Sequence, residues 1–166
     1  MDPDTYFRAL GRDQEDVKNL LKTLKILLVP RKEEEPMFVA IHGPGNSGKT
    51  TLIHLLQKMV KSETWGEPWP LARIEPVGSY SWNHPDKDVL LVHISGNREV
   101  LDLRGVVSQN WRYILSADDF RKIIRSGHPF TDIYLPNVFN PSPTFHRDMK
   151  NINLEDFRAY LEKCEV

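Results

Sequence analysis

The chain has 166 residues, 40% of them hydrophobic, a formal net charge of −1 and a sequence pI near 6.6. That length fits one domain around a single core, and the balanced charge leaves any nucleic-acid contact to a local patch or an oligomeric channel. The lone cysteine, Cys164, excludes an intramolecular disulfide and a cysteine-built zinc site, and no run approaches the roughly 20 apolar residues of a membrane span.

The start, Met1-Asp2-Pro3-Asp4, lacks the basic and apolar regions of a signal peptide, so an intracellular protein is expected. Val17, Leu20, Leu21, Leu24, Leu27 and Leu28 then form one apolar stripe at helical spacing, with Lys18, Lys22 and Lys25 mostly off it. This predicts an amphipathic helix in an N-terminal helical element over residues 1–30, which either packs on the body or contacts another subunit. The stretch Arg31-Lys32-Glu33-Glu34-Glu35-Pro36 reads as a linker over 31–36, leaving 37–166 as the main domain.

Residues 37–41, Met-Phe-Val-Ala-Ile, read as a buried strand, and residues 50–60 carry helical spacing. Further strands are expected at 71–74, 89–94 and 111–115, then a helix over 117–125 with Ser116 and Asp119 as its N-terminal capping pair. Prolines at 129, 136, 141 and 143 make 128–147 mostly loop around one strand-like piece, 132–135. Asn153 caps a last helix with Leu154, Phe157, Leu161 and Cys164 on its buried edge. The alternation predicts a three-layer α/β fold with a central, mostly parallel sheet.

Between the first strand and its helix stand Gly43-Pro44-Gly45-Asn46-Ser47-Gly48-Lys49-Thr50, matching G-x-x-x-x-G-K-[ST], with Thr51 following. Glycines let successive N–H groups converge on an anion, and the positive end of the following helix adds to that cradle. Lys49 is expected on the β- and γ-phosphates of ATP and the Thr50 hydroxyl on Mg²⁺. The alternative is a Gly/Pro turn that merely joins strand to helix.

Hydrolysis also asks for a carboxylate at a strand end to hold Mg²⁺ through water. The strand at 89–94 ends in Ser95-Gly96-Asn97 instead. Glu75 after the shorter strand is a candidate acid; Asp118 and Asp119 are another pair, also readable as first-turn acids of a helix. Asn97 could reach the γ-phosphate or orient water, or simply serve its turn. Arg98, Arg104, Arg112 and Arg147 are candidates for a charge-stabilising finger. The six histidines lack helical metal-ligand spacing, and tryptophans 65, 69, 82 and 111 are read as packing residues ahead of base-stacking ones.

Three segments together resemble the superfamily 3 helicase domain of parvovirus Rep proteins, including Rep-like proteins of avian adenoviruses: residues 41–51 with the phosphate loop, Ser79-Tyr80-Ser81-Trp82-Asn83 ahead of Val89-Leu90-Leu91-Val92, and residues 153–161. The resemblance implies an AAA+-like P-loop NTPase fold, ATP binding, assembly into homo-oligomeric rings on DNA, and a viral replication role in the host nucleus. Where that family carries paired acids after its second core strand, this chain has His93-Ile94-Ser95-Gly96, so weak or lost hydrolysis is expected. The nicking chemistry of a full initiator needs a His-hydrophobic-His pair, which is absent. Two competing classes are a nucleoside or nucleotide kinase, with Arg121-Lys122-Ile123-Ile124-Arg125 as a lid, and a non-catalytic nucleotide-dependent interaction module.

Overall fold

The computed structural model describes residues 2–28, 37–66, 72–77, 90–95, 100–104, 111–117, 123–139 and 151–164. The chain begins with two helices where the apolar stripe announced one. Asp2 caps α1 (Pro3–Leu10) by accepting from Thr5 N–H, and Pro3 at the first helical position needs no partner for a missing N–H. A tight corner at Gly11 leads into α2 (Gln14–Leu28), which buries Leu20, Leu21, Leu24, Leu27 and Leu28.

β1 (Met37–His42) is buried along its whole length, as a strand covered on both faces must be. It is followed by α3 (Lys49–Met59), β2 (Lys61–Gly66), β3 (Ala72–Val77), β4 (Leu90–Ile94), β5 (Val100–Asp102), β6 (Trp111–Ala117), β7 (Ile123–Arg125), β8 (Phe130–Tyr134) and α4 (Leu154–Lys163). The main sheet has the order β3-β2-β4-β6-β1-β8, with five parallel strands and β3 antiparallel at one edge. β3 carries Pro76, which an edge strand accommodates because one side of its backbone needs no sheet partner.

Side-chain alternation divides the core. Met37, Val39, Ile41, Leu91, Ile114 and Ile133 share one face with all four described helices, including Phe7, Leu24, Leu52 and Phe157. The opposite face presents Phe38, Val92, Ile94, Tyr113 and Leu115, packed with Trp65 and with Leu103, which follows β5. β5 and β7 pair with each other as a separate two-stranded parallel ribbon. Among the described residues, then, the expected second helical layer is not seen; a short ribbon contributes on that side.

Several boundaries differ from the sequence expectation. β6 runs on to Ala117 and residues 123–125 are a strand, so the two ends of the helix expected over 117–125 are extended instead; residues 118–122, with Arg121 and Lys122 of the basic cluster, lie outside the described residues. β2 was not anticipated: Lys-Ser-Glu-Thr-Trp-Gly is half polar, because Ser62 and Thr64 are consumed by Gln57 of α3, through Ser62 Oγ to Gln57 O and Gln57 Nε2 to Thr64 Oγ1. The N-terminal helices pack into the common core, with Phe7, Leu24, Leu27 and Leu28 fully buried. Lys25 reaches across to donate to the Cys164 carbonyl at 2.8 Å, meeting the negative end of α4.

Candidate functional site

β1 stands between β6 and β8: its own connection, through α3, runs to β2 on the β6 side, whereas the chain leaving β6 reaches β8 on the opposite side of β1. In a parallel sheet such a switch opens a crevice beyond the strand carboxyl ends, the usual place for a ligand. Gly43 to Gly48 occupy that position and lead directly into α3.

Local backbone geometry explains the glycines unequally. Gly48 (φ 91°) caps α3 in the left-handed region, and Asn46 is the one non-glycine described there (φ 62°), a conformation its short polar side chain tolerates. A Cβ at Gly43 would lie 2.4 Å from the Leu135 carbonyl oxygen and 2.8 Å from Ser47 Oγ. Gly45 is different: a Cβ there would meet nothing within 4 Å. Packing therefore demands glycine at 43 and the left-handed backbone favours it at 48, whereas neither calls for it at 45.

Lys49 is buried (8% exposed) and folds back over the loop, donating to Gly43 O at 2.6 Å, Pro44 O at 2.8 Å and Ser47 Oγ at 3.4 Å. Three donors meet three oxygens, so the ammonium is held at the loop's concave side by its own carbonyls. Thr50 is exposed in the first turn of α3, Thr51 is half-buried, and that turn contains no acidic residue. Its N–H groups and positive end are thus uncompensated by local negative charge.

The candidate acids fare differently. Glu75 lies inside β3 rather than after it: pairing steps from Pro76–Glu63 to Ile74–Thr64, making Glu75 the extra residue of a bulge. That edge strand is separated from β1 by β2, β4 and β6, roughly 19 Å at the usual strand spacing, too far for a direct role at the loop. Asn97, Asp118, Asp119, Arg98 and Arg147 lie outside the described residues, as do Trp69 and Trp82. Arg112 is fully buried at the far end of the sheet, in register with Met37 and Leu91, and Arg104 is paired with Asp102 at 2.6 Å. Trp65 sits in the second core against Trp111 and Tyr113.

Two residues gain interest that sequence reading did not give them. His93 of β4 shares the helix-covered face with Leu91, and α3 packs on β2 and β6, the strands to either side. Burial, followed by the nearby His54 of α3, lowers its pKa to about 4, so the ring is neutral near pH 7; its Nε2 is buried without a described partner. Ser116, expected as a helix cap, is instead in β6 beside Ile41 of β1, one step from the loop. The sequence carried no signal for it: the apolar run of β6 stops at Leu115, and Ser116 matches a helix cap. On the other face His42, the last residue of β1, bonds Asp132 Oδ1 through Nε2 at 3.0 Å. No group of three or more metal-capable side chains occurs among the described residues.

No protein-family model matches the chain, and no curated protein does. A solved structure, the A-form apo structure of the C-terminal region of NrS-1, superposes on it with a TM-score of 0.58 at 14% identity, covering 100% of this chain and 46% of that one. The likeness is one of fold, and the chain spans less than half the length of that neighbour.

Proposed function

We propose that the chain is a P-loop nucleotide-binding protein of AAA+-like kind that takes ATP at Gly43 to Thr51, with weak or lost hydrolysis. The observation that carries this reading is the loop itself: a motif of the right spacing placed at the switch point of a parallel sheet, ahead of a helix whose first turn has no acid, with the motif lysine held at its concave side. A triphosphate would take over the ammonium from the Gly43 and Pro44 carbonyls, exchanging neutral acceptors for charged ones.

The exposed Thr50 hydroxyl suits a Mg²⁺ ligand, and bound Mg²⁺ would neutralise phosphate charge there. Among the described residues, β4 and β6 offer no carboxylate on the face covered by α3: β4 brings His93 and β6 brings Ser116. Slow turnover follows from that chemistry, and it suits a protein whose bound nucleotide acts mainly on conformation. The Rep-like motifs extend the reading to ring assembly on DNA in viral replication, testable as nucleotide-dependent oligomerisation with single-stranded DNA.

The deciding experiment titrates ATP with Mg²⁺ against wild type and Lys49→Ala while phosphate release is followed in the same samples. Wild type should bind and release phosphate slowly, and the variant should lose about tenfold to a hundredfold in affinity, the worth of one or two charge-assisted bonds. Indifference of wild-type protein to millimolar ATP and GTP alike would sink the reading.

A further inference from the structure

The segment following β8, residues 135–139, is bonded on one side to the phosphate loop and on the other to the first helix. Leu135 N–H donates to His42 O, and Phe139 N–H to Asn46 O, both at 2.8 Å. Between them Asn137 Nδ2 donates to Ala9 O, in the last turn of α1, at 2.8 Å and to Gly11 O, just past the helix, at 2.9 Å. One amide group with two N–H bonds can span both acceptors; an apolar residue there could hold neither.

Each end of this connection has little slack. A Cβ at Gly43 would stand 2.4 Å from Leu135 O, so loop and segment are in backbone contact, and the Phe139 ring lies beside Gly48. At the other end, a Cβ at Gly11 would meet Asp16 Cβ and Val17 Cγ2, each at 2.9 Å, so the α1–α2 corner is packed against the start of α2. Arg12 at that corner binds Asp16 and lies over the Tyr134 ring at 5.9 Å, a second tie between the helices and the end of β8.

We infer that residues 135–139 are a coupling strut: occupation of the loop by a triphosphate is transmitted through Asn137 to the α1–α2 corner, whose order reports the nucleotide state. This rests on the phosphate-binding reading above. Drawing the Lys49 ammonium off Gly43 O and Pro44 O changes what holds those carbonyls, and the bonds from Leu135 N–H to His42 O and from Phe139 N–H to Asn46 O tie both ends of the loop to the segment. Linkage makes the coupling reciprocal, so loosening the corner must also alter nucleotide affinity.

The test is amide hydrogen exchange on the full chain with and without a non-hydrolysable ATP analogue and Mg²⁺. Wild type should show protection at residues 43–52 and a change of about fivefold or more at residues 5–17, the lower range of allosteric coupling. Asn137→Ala should keep the first effect and lose the second; if that variant fails to fold, Asn137→Ser, read by the same criterion, takes its place. Protection at 43–52 with no change at 5–17 in wild type, or a variant that responds like wild type, overturns the strut. Absence of protection at 43–52 in wild type brings down the phosphate reading itself and the strut with it.

Discussion

Gly43 and Gly45 occupy one motif for different physical reasons, and that difference is measurable. Gly43→Ala forces a methyl into the Leu135 carbonyl and should cost about 1–3 kcal/mol in denaturant unfolding, the usual range for overpacking. Gly45→Ala meets open space and should leave stability within about 0.5 kcal/mol, yet weaken nucleotide binding because the loop backbone must approach a phosphate closely. Equal effects of the two on folding would contradict the geometry. His93 gives a pH signature. Its folded pKa of about 4 lies below the ordinary histidine value of 6.5, so between those pH values the unfolded chain binds the extra proton and stability falls as pH drops. Above 6.5 both states are neutral and the effect vanishes. His93→Gln should flatten urea midpoints between pH 6.5 and 4 relative to wild type, by about 2–3 kcal/mol at most.

At the scale of elements, α2 is part of the core despite its position ahead of a charged stretch. Leu24→Ala removes a fully buried side chain and should destabilise the protein by about 2–4 kcal/mol; a change under about 0.5 kcal/mol would mean α2 is dispensable. The apolar stripe at 17–28 was readable because its period matches a helix, whereas α1 was not: Tyr6, Phe7 and Leu10 are too few to fix a period, and the rings of Tyr6 and Phe7 pack on Phe157 and Tyr160 of α4. β2 escaped for the opposite reason, since its Ser62 and Thr64 look exposed until Gln57 satisfies them. The start expected for a helix at 117 was misplaced because Ser116 matches a cap locally, while pairing of Ile41 with Ser116 and His42 with Ala117 keeps the backbone extended there.

For the whole molecule, a ligand that binds only the folded state must raise its stability by mass action. ATP with Mg²⁺ at about 100 times its Kd should add about 2.7 kcal/mol, visible as a rise in Tm that Lys49→Ala abolishes at the same concentration. An unchanged Tm in wild type would remove the nucleotide from the account. None of the described helices is long and apolar enough to cross a membrane, which agrees with the hydropathy of the sequence.

Short-range chemistry made four features legible from the residues alone, the glycine-rich turn at 43–48, the strand before it, the helix after it and the capped last helix, because each rests on backbone conformation, capping and side-chain period. Long-range contacts settled that β6 and β8 flank β1, that Glu75 stands at a distant edge, that His93 lies on the helix-covered face, and that Asn137 joins the segment after β8 to the N-terminal corner. Those are contacts between residues far apart in the chain, and no local pattern of residue types encodes which strands become neighbours.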